Sequence, residues 1–247
     1  MESKNYDIKK LMSKIKSFVD GPIKDSQYPG FTDSQYPGDV EIYKSLVDRR
    51  DQLILECGVN RGSSTSIFTA ISEQNNSICY SIDILDCSDV VKSDRWSFFQ
   101  SDDTDVKRIL SRFPKIQTLG IDILYIDSEH TASHVEKVLY AWYPYLNKNS
   151  LIFVDDIDSY IYKKGSKKDN IFNEINWEEI NKFTVDFARS NRSDVSLVHY
   201  FTKTGLAKMH KFSDKGSLPL KVSLKKRPFG LVTFIKLLKK IKKALFK

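Results

Sequence analysis

Short apolar runs alternate with helical stretches through the middle of the chain. Residues 53–55, 78–82, 121–126 and 151–154 are almost continuously apolar, broken only by Ser81 and Asp122, rich in β-branched side chains and bounded by polar clusters; a weaker run lies around 96–99. Unbroken apolarity, rather than alternation, marks strands covered on both faces, as in a parallel sheet. Between these runs, residues 65–72, 106–113 and 132–146 show the spacing of amphipathic helices. A further helix is predicted around 177–189. Residues 195–202 and 206–212 read as two strands joined by Lys203-Thr-Gly205, a closing hairpin. The pattern predicts an α/β fold: a Rossmann-like, doubly wound, mostly parallel seven-stranded sheet with a C-terminal antiparallel hairpin.

The flanks differ from this body. Ile8, Leu11, Met12, Ile15 and Val19 share one face of a predicted helix over 6–19. The hexapeptide Asp25-Ser-Gln-Tyr-Pro-Gly30 then recurs as Asp33-Ser-Gln-Tyr-Pro-Gly38, turn chemistry that suggests an ordered, lid-like loop. At the other end, Leu231, Phe234, Ile235, Leu238, Ile241 and Leu245 recur at helical spacing. Lys236, Lys239, Lys240, Lys243 and Lys247 take the opposite face, with Lys242 near the edge of the apolar one. The expected division is therefore 1–50 (helix and lid-like loop), 51–220 (the α/β body) and 221–247 (a basic amphipathic tail).

Charge sharpens that division. The 247 residues carry a formal +7, but ten of the 39 cations lie in 221–247, which has no acid. The other 220 residues hold 29 cations against 32 acids, a net of −3. An acidic body without a recognisable nucleic-acid motif argues against nucleic acid as a partner. A Lys-rich helix with Phe and Leu opposite fits an anionic membrane surface. Cys57, Cys79 and Cys87 lack a paired zinc spacing and form an odd set, which suggests a reducing compartment. No secretory h-region and no run of 18 apolar residues is present. The expected location is the cytoplasm, with peripheral attachment to the cytoplasmic face of a membrane.

The candidate chemistry gathers where the strands end, the edge at which open α/β sheets bind ligands. Glu56-Cys-Gly58-Val-Asn60-Arg-Gly62-Ser63-Ser-Thr65 leads the first strand into a helix. Its glycines permit a tight turn and close approach by a ligand, and Ser63, Ser64 or Thr65 can cap the helix. It lacks the Gly-x-Gly-x-x-Gly dinucleotide fingerprint and the Gly-Lys-Ser/Thr of a P-loop. Later strands deliver Asp83, then Asp102 and Asp103, then Asp127, Glu129 and His130, then Asp155, Asp156 and Asp158. An acid at Asp83 is placed to accept hydrogen bonds from ribose hydroxyls.

These stretches resemble the class I S-adenosylmethionine-dependent methyltransferases, and within them the sugar O-methyltransferase branch related to macrocin and mycinamicin methyltransferases. Residues 55–65 resemble the first motif and Ser81-Ile-Asp83 the ribose-binding acid. Residues 121–130, Ile-Asp-Ile-Leu-Tyr-Ile-Asp-Ser-Glu-His, resemble Leu-Asp-x-x-x-Ile-Asp-Gly-Asp-His. Residues 143–156 resemble Leu-Pro-x-Leu-x-x-Gly-Gly-x-x-x-x-x-Asp-Asp. The chain departs from the pattern at Ser128 (glycine), Glu129 (aspartate), Asn149-Ser150 (Gly-Gly) and Ala132 (an aromatic). The resemblance implies S-adenosylmethionine bound by Glu56 and Gly58 near its methionine part, Asp83 on the ribose and Asp102 near the adenine. Asn60, Gly62 and Ser63 of the first motif complete that set. It further implies a Mg²⁺ held by Asp127, Asp155 and Asp156, and Glu129 or His130 as general base in methyl transfer to a hydroxyl. His134 and His199 are expected to be packing residues. Expected partners are a small-molecule or glycan acceptor, the membrane surface, and a second copy of the chain in a homo-oligomer. The rival reading is a non-catalytic ligand-binding or scaffold protein on the same fold, for which the missing Gly-Gly pair argues.

Overall fold

The computed structural model describes residues 37–201 and 203–224. The helix expected over 6–19, the first copy of the hexapeptide and the amphipathic pattern from 231 onward lie outside them.

Seven strands form one sheet: β1 (Leu53–Cys57), β2 (Ile78–Asp83), β3 (Trp96–Gln100), β4 (Ile121–Ile126), β5 (Leu146–Asp155), β6 (Val195–Tyr200) and β7 (Leu206–Lys211). The order is β3-β2-β1-β4-β5-β7-β6. All neighbours are parallel except β5 with β7 and β7 with β6. This is the predicted Rossmann-like architecture with its antiparallel end. The first five strands point the same way, so their carboxyl ends share one edge. The helices are α1 (Pro37–Leu46), α2 (Ser63–Asn75), α3 (Val106–Arg112), α4 (Lys115–Leu119), α5 (Ala132–Trp142) and α6 (Ile171–Ser190).

Alternate strand residues feed two cores. Leu55 and Cys57 of β1, Leu124 and Ile126 of β4 and Ile152 and Val154 of β5 meet α5 and α6 on one face. Ile54, Ile123, Tyr125 and Phe153 meet α1 and α2 on the other. All ten of these side chains are at most 2% exposed, the burial that a strand covered on both faces requires.

Three expectations change. The second hexapeptide does not remain a loop to its end, because Pro37 and Gly38 open α1. Pro suits a first helical turn, where its missing N–H has no bond to make. Ile42 and Leu46 are 1% exposed within the α1–α2 core, and each such burial contributes about 1.5–3 kcal/mol. Residues 37–46 thus belong to the same core as the sheet. The helix expected over 132–146 stops at Trp142, where a 3₁₀ turn (Tyr143–Tyr145) containing Pro144 interrupts it. Leu146 then begins β5, which is longer than the 151–154 run that announced it. Within β5, Asn149 adopts φ 64°, a left-handed conformation that asparagine tolerates. At one position of the resembling family's Gly-Gly pair, this chain thus keeps a glycine-like backbone conformation without glycine, which weakens the sequence argument for a scaffold.

Candidate active site

The turn after β1 is built around a buried acid. Glu56 is fully buried, and its carboxylate accepts hydrogen bonds from Ser64 Oγ (2.6 Å), Thr65 Oγ1 (2.8 Å) and Ser81 Oγ. Trp96 Nε1 donates to Ser81 Oγ in turn (2.8 Å). Burial pushes the Glu56 carboxyl up to about 7, with the three hydroxyls pulling the other way. Glu56 therefore ties β1, α2 and β2 together beneath the turn, instead of presenting an oxygen to a ligand as expected. Two of the hydroxyls expected to cap α2, those of Ser64 and Thr65, are spent here as well. Gly62 occupies the cap position, in the left-handed region and without a side-chain bond.

Gly58 is required for a reason other than ligand approach. At φ 95° a Cβ would lie 2.2 Å from the Asp127 carbonyl oxygen, so the turn after β1 packs directly on the end of β4. The Asp127 amide donates to the Cys57 carbonyl (2.8 Å) and closes that contact. Asp83 braces the same turn. Its Oδ2 accepts from the Val59 and Asn60 amides (2.8 and 3.1 Å) and its Oδ1 from the Leu85 amide (2.9 Å). Oδ1, with a single donor, keeps capacity for another, so the position suits a ribose hydroxyl. Asp102 accepts from the Thr104 amide and hydroxyl ahead of α3 and is exposed.

At the ends of β4 and β5 the acids are less satisfied. Tyr125 Oη lies 3.0 Å from Asp155 Oδ2 and 3.2 Å from Asp127 Oδ2. One hydroxyl hydrogen cannot serve both carboxylates at once. Burial, together with the neighbouring negative charges, pushes Asp155 up to about 6 and Asp127 well above the usual carboxylate range. Asp156, at φ 61° and 8% exposed, donates its amide to Asp155 Oδ1 and places its own Oδ2 2.8 Å from His130 Nδ1. Asp156 holds the His130 imidazole above its ordinary value.

One ligand atom each from Asp127, His130 and Asp156 lies within 4.8 Å of the other two. Two carboxylates and an imidazole suit a divalent cation that accepts oxygen and nitrogen donors. Of the expected trio of Asp127, Asp155 and Asp156, the structure groups Asp127 and Asp156 with His130 rather than with Asp155. His130 joins the cluster, and Asp155 turns to Tyr125 and to Thr204 Oγ1 (3.4 Å). Glu129 turns away from the cluster. It is 64% exposed, accepts from Thr131 Oγ1 and lies 3.8 Å from His134 Nδ1. His134 is more than packing. Its Nε2 is 3.0 Å from Asp103 Oδ1, and Ser128 Oγ donates to Asp103 Oδ2 (2.6 Å). The serine that stands for the resembling family's glycine thus anchors the residue 127–130 turn to the end of β3. The pairing with Asp103 was the missed signal.

A cavity of about 300 Å³ opens beside these groups. Its wall combines Asn60 and Ser63 of the glycine turn with Tyr125, Asp127 and Asp155. Asp39 and Ile42 of α1 and residues 203–206 of the hairpin complete it, none of which sequence reasoning had singled out apart from the hairpin itself.

Residues 55–157 match the family described as a methyltransferase domain. Among solved structures, the chain is similar to the MycE methyltransferase of the mycinamycin biosynthetic pathway, determined in complex with Mg, SAH and mycinamycin VI. The TM-score is 0.56 at 20% identity, over 89% of this chain and 58% of that one. It is similar to SAH-bound Podospora anserina methyltransferase PaMTH1 at TM-score 0.56 and 13% identity, over 87% and 98% of the two chains. The chain thus spans under two thirds of MycE. At these identities the likeness establishes a common fold. No curated protein matches the sequence.

Proposed function

We propose that this chain, whose residues 55–157 match a methyltransferase domain and whose fold is shared with SAH-bound methyltransferases, uses S-adenosylmethionine to transfer a methyl group to a hydroxyl of a sugar, glycan or small molecule, aided by a divalent cation. The observation that carries this reading is the convergence of Asp127, His130 and Asp156 beside a cavity whose other wall is the glycine turn. S-adenosylmethionine, when bound, supplies a methyl group already activated on a sulfonium, so the protein's task is positioning and proton removal. Asp83 would hold the ribose, and the uncapped start of α2 favours the cofactor carboxylate. A Mg²⁺ held by Asp127, His130 and Asp156 would supply Lewis acidity toward an acceptor hydroxyl. His130 can ligate only in its neutral form. Asp155 lines the cavity, fixed by Tyr125 and the Asp156 amide, and on this reading would accept the hydroxyl proton.

Calorimetry with S-adenosylmethionine, S-adenosylhomocysteine and NAD tests the core of the reading. Binding of the first two and not of NAD is expected, and failure of both would overturn it. For the cation, Mg²⁺ should bind in a chelator-reversible manner. The tail belongs to the same reading: its ten cations without an acid would hold the enzyme at an anionic membrane, beside a glycan acceptor carried there. Removal of 221–247 should abolish co-sedimentation with phosphatidylserine vesicles, and undiminished binding would exclude that role. Among the described residues no helix is long and apolar enough to cross a membrane.

A further inference from the structure

Asp39 is a charged residue of the cavity wall to which the preceding mechanism gives no task. It lies in the first turn of α1 and lines the cavity together with Asn60, Ser63 and Ser64 of the glycine turn. The backbone beneath it is held firmly. Ile42 and Leu46 anchor α1 in the core, and Glu41 is clamped by Lys208 Nζ and by Tyr200 Oη (2.8 Å). A side chain on so fixed a helix is positioned rather than merely nearby. Yet among the described residues no hydrogen bond or ion pair takes up its carboxylate.

The charge around Asp39 indicates what would. Asp39, Asp127 and Asp155 face the same space, and the cations on that wall are Arg61 and Lys203. Burial and the Asp155 charge raise the Asp39 carboxyl to about 7, with Lys203 acting in the opposite sense. A cavity with this surplus of acid favours a ligand that brings positive charge. On the cofactor reading, the ribose is fixed by Asp83, which also bonds the Val59 and Asn60 amides. The amino-acid end of the cofactor would then run along residues 60–64, which line the same cavity as Asp39. We infer that Asp39 is a cofactor-recognition residue, whose carboxylate accepts a hydrogen bond from the α-ammonium group of S-adenosylmethionine. The inference rests on the proposed cofactor, and it assigns to α1 a binding task beyond closing the core.

Three ligands that differ only at the amino-acid end provide the test: S-adenosylhomocysteine, its desamino analogue, which keeps the carboxylate, and 5′-methylthioadenosine, which has neither charged group. Calorimetry on the full chain and on Asp39→Asn should show S-adenosylhomocysteine weakened about 10- to 100-fold by loss of a charge-assisted bond. The desamino analogue and 5′-methylthioadenosine should change by less than about twofold on the same scale. Asp39→Glu should recover part of the loss. If Asp39→Asn binds all three ligands as the native chain does, or weakens all three alike, the assignment is overturned, since the second result would mean a disturbed pocket. If the native chain binds none of them, the cofactor reading itself falls, and that result is distinct from either failure of Asp39.

Discussion

Glu56 and Asp127 leave the same edge of the sheet on neighbouring strands and meet opposite surroundings. Glu56 is sealed under α2 with three hydroxyls directed at it. Asp127 is 28% exposed, shares one tyrosine hydroxyl with Asp155, and lies close to His130 and Asp156. Both carboxyls are pushed up by burial, so a raised proton affinity alone does not separate them. The number of donors does. Where three donors converge on an acid sealed from solvent, it is a structural fastener. Where they fall short beside an open cavity, the remaining lone pairs are available to a ligand.

The largest effect should come from breaking the unsatisfied side. Asp127→Asn combined with Asp156→Asn should abolish Mg²⁺ binding and lower methyl transfer on the order of 10³-fold. The same change removes mutually repelling charges, so the melting temperature should stay constant or rise. Calorimetry and a thermal melt check both halves. Retained Mg²⁺ affinity, or a fall in melting temperature like that of a core variant, would erase the contrast with Glu56.

The satisfied side should answer in the opposite way. Glu56→Ala leaves the hydroxyls of Ser64, Thr65 and Ser81 without their acceptor and should cost about 3 kcal/mol or more in denaturant unfolding at pH 6. Any loss of cofactor affinity should follow from the loosened turn, and 5′-methylthioadenosine and S-adenosylhomocysteine should be affected alike. A stable variant that had lost only the interaction with the cofactor's methionine part would return Glu56 to direct contact.

The sheet was legible because its strands are apolar on both faces, a pattern that only a doubly covered parallel sheet demands. The acids at its edge were legible as a group, since strand ends and parallel direction follow from the same pattern. Their individual roles were not. Whether Asp155 or His130 joins Asp127 and Asp156 depends on a left-handed φ at Asp156, which turns consecutive aspartates toward different partners. Likewise, nothing local marks Ser128 and His134 as partners of Asp103, about 25 to 31 positions earlier in the chain. Asp39 was hidden by Tyr-Pro-Gly, which reads as a turn, whereas its Pro37 and Gly38 start a helix.

A finer cut through the comparison uses pH. The Glu56 carboxyl is raised in the fold to about 7 from an ordinary 4.5, so the folded state holds this proton more tightly than the unfolded chain. Its contribution is therefore fully present below about pH 4.5 and is lost as pH rises toward 7, amounting to about 3 kcal/mol. Glu56→Gln cannot ionise. The difference in stability between native protein and this variant should shift in favour of Gln by up to that amount between pH 4.5 and 8. Asp155 and Asp39 contribute in the same direction in both proteins and cancel in the difference. A difference independent of pH would show that the three hydroxyls keep the Glu56 carboxylate ionised throughout.

The smallest effect concerns the join between the two sides, the clamp that holds α1 and with it Asp39. Lys208 of β7 pairs with Glu41 of α1, while Tyr200 of β6 donates to the same Oε1. Both ionic side chains are 22% exposed, so salt screens them only in part. Lys208→Met should cost about 1 kcal/mol at pH 7, since it removes one charged donor from a carboxylate that retains Tyr200 and Ser45. Glu41 is held below its ordinary 4.5, so the benefit of the clamp is present above that value and fades as pH falls through the lowered one. The Met variant should therefore converge on the native stability in acid, and it should weaken S-adenosylhomocysteine less than Asp39→Asn does. If instead it equals Asp39→Asn in binding while costing no stability, the cavity wall depends on the hairpin more than on the buried face of α1, and the division between fastening and chemical acids would have to run through β7 rather than between β1 and β4.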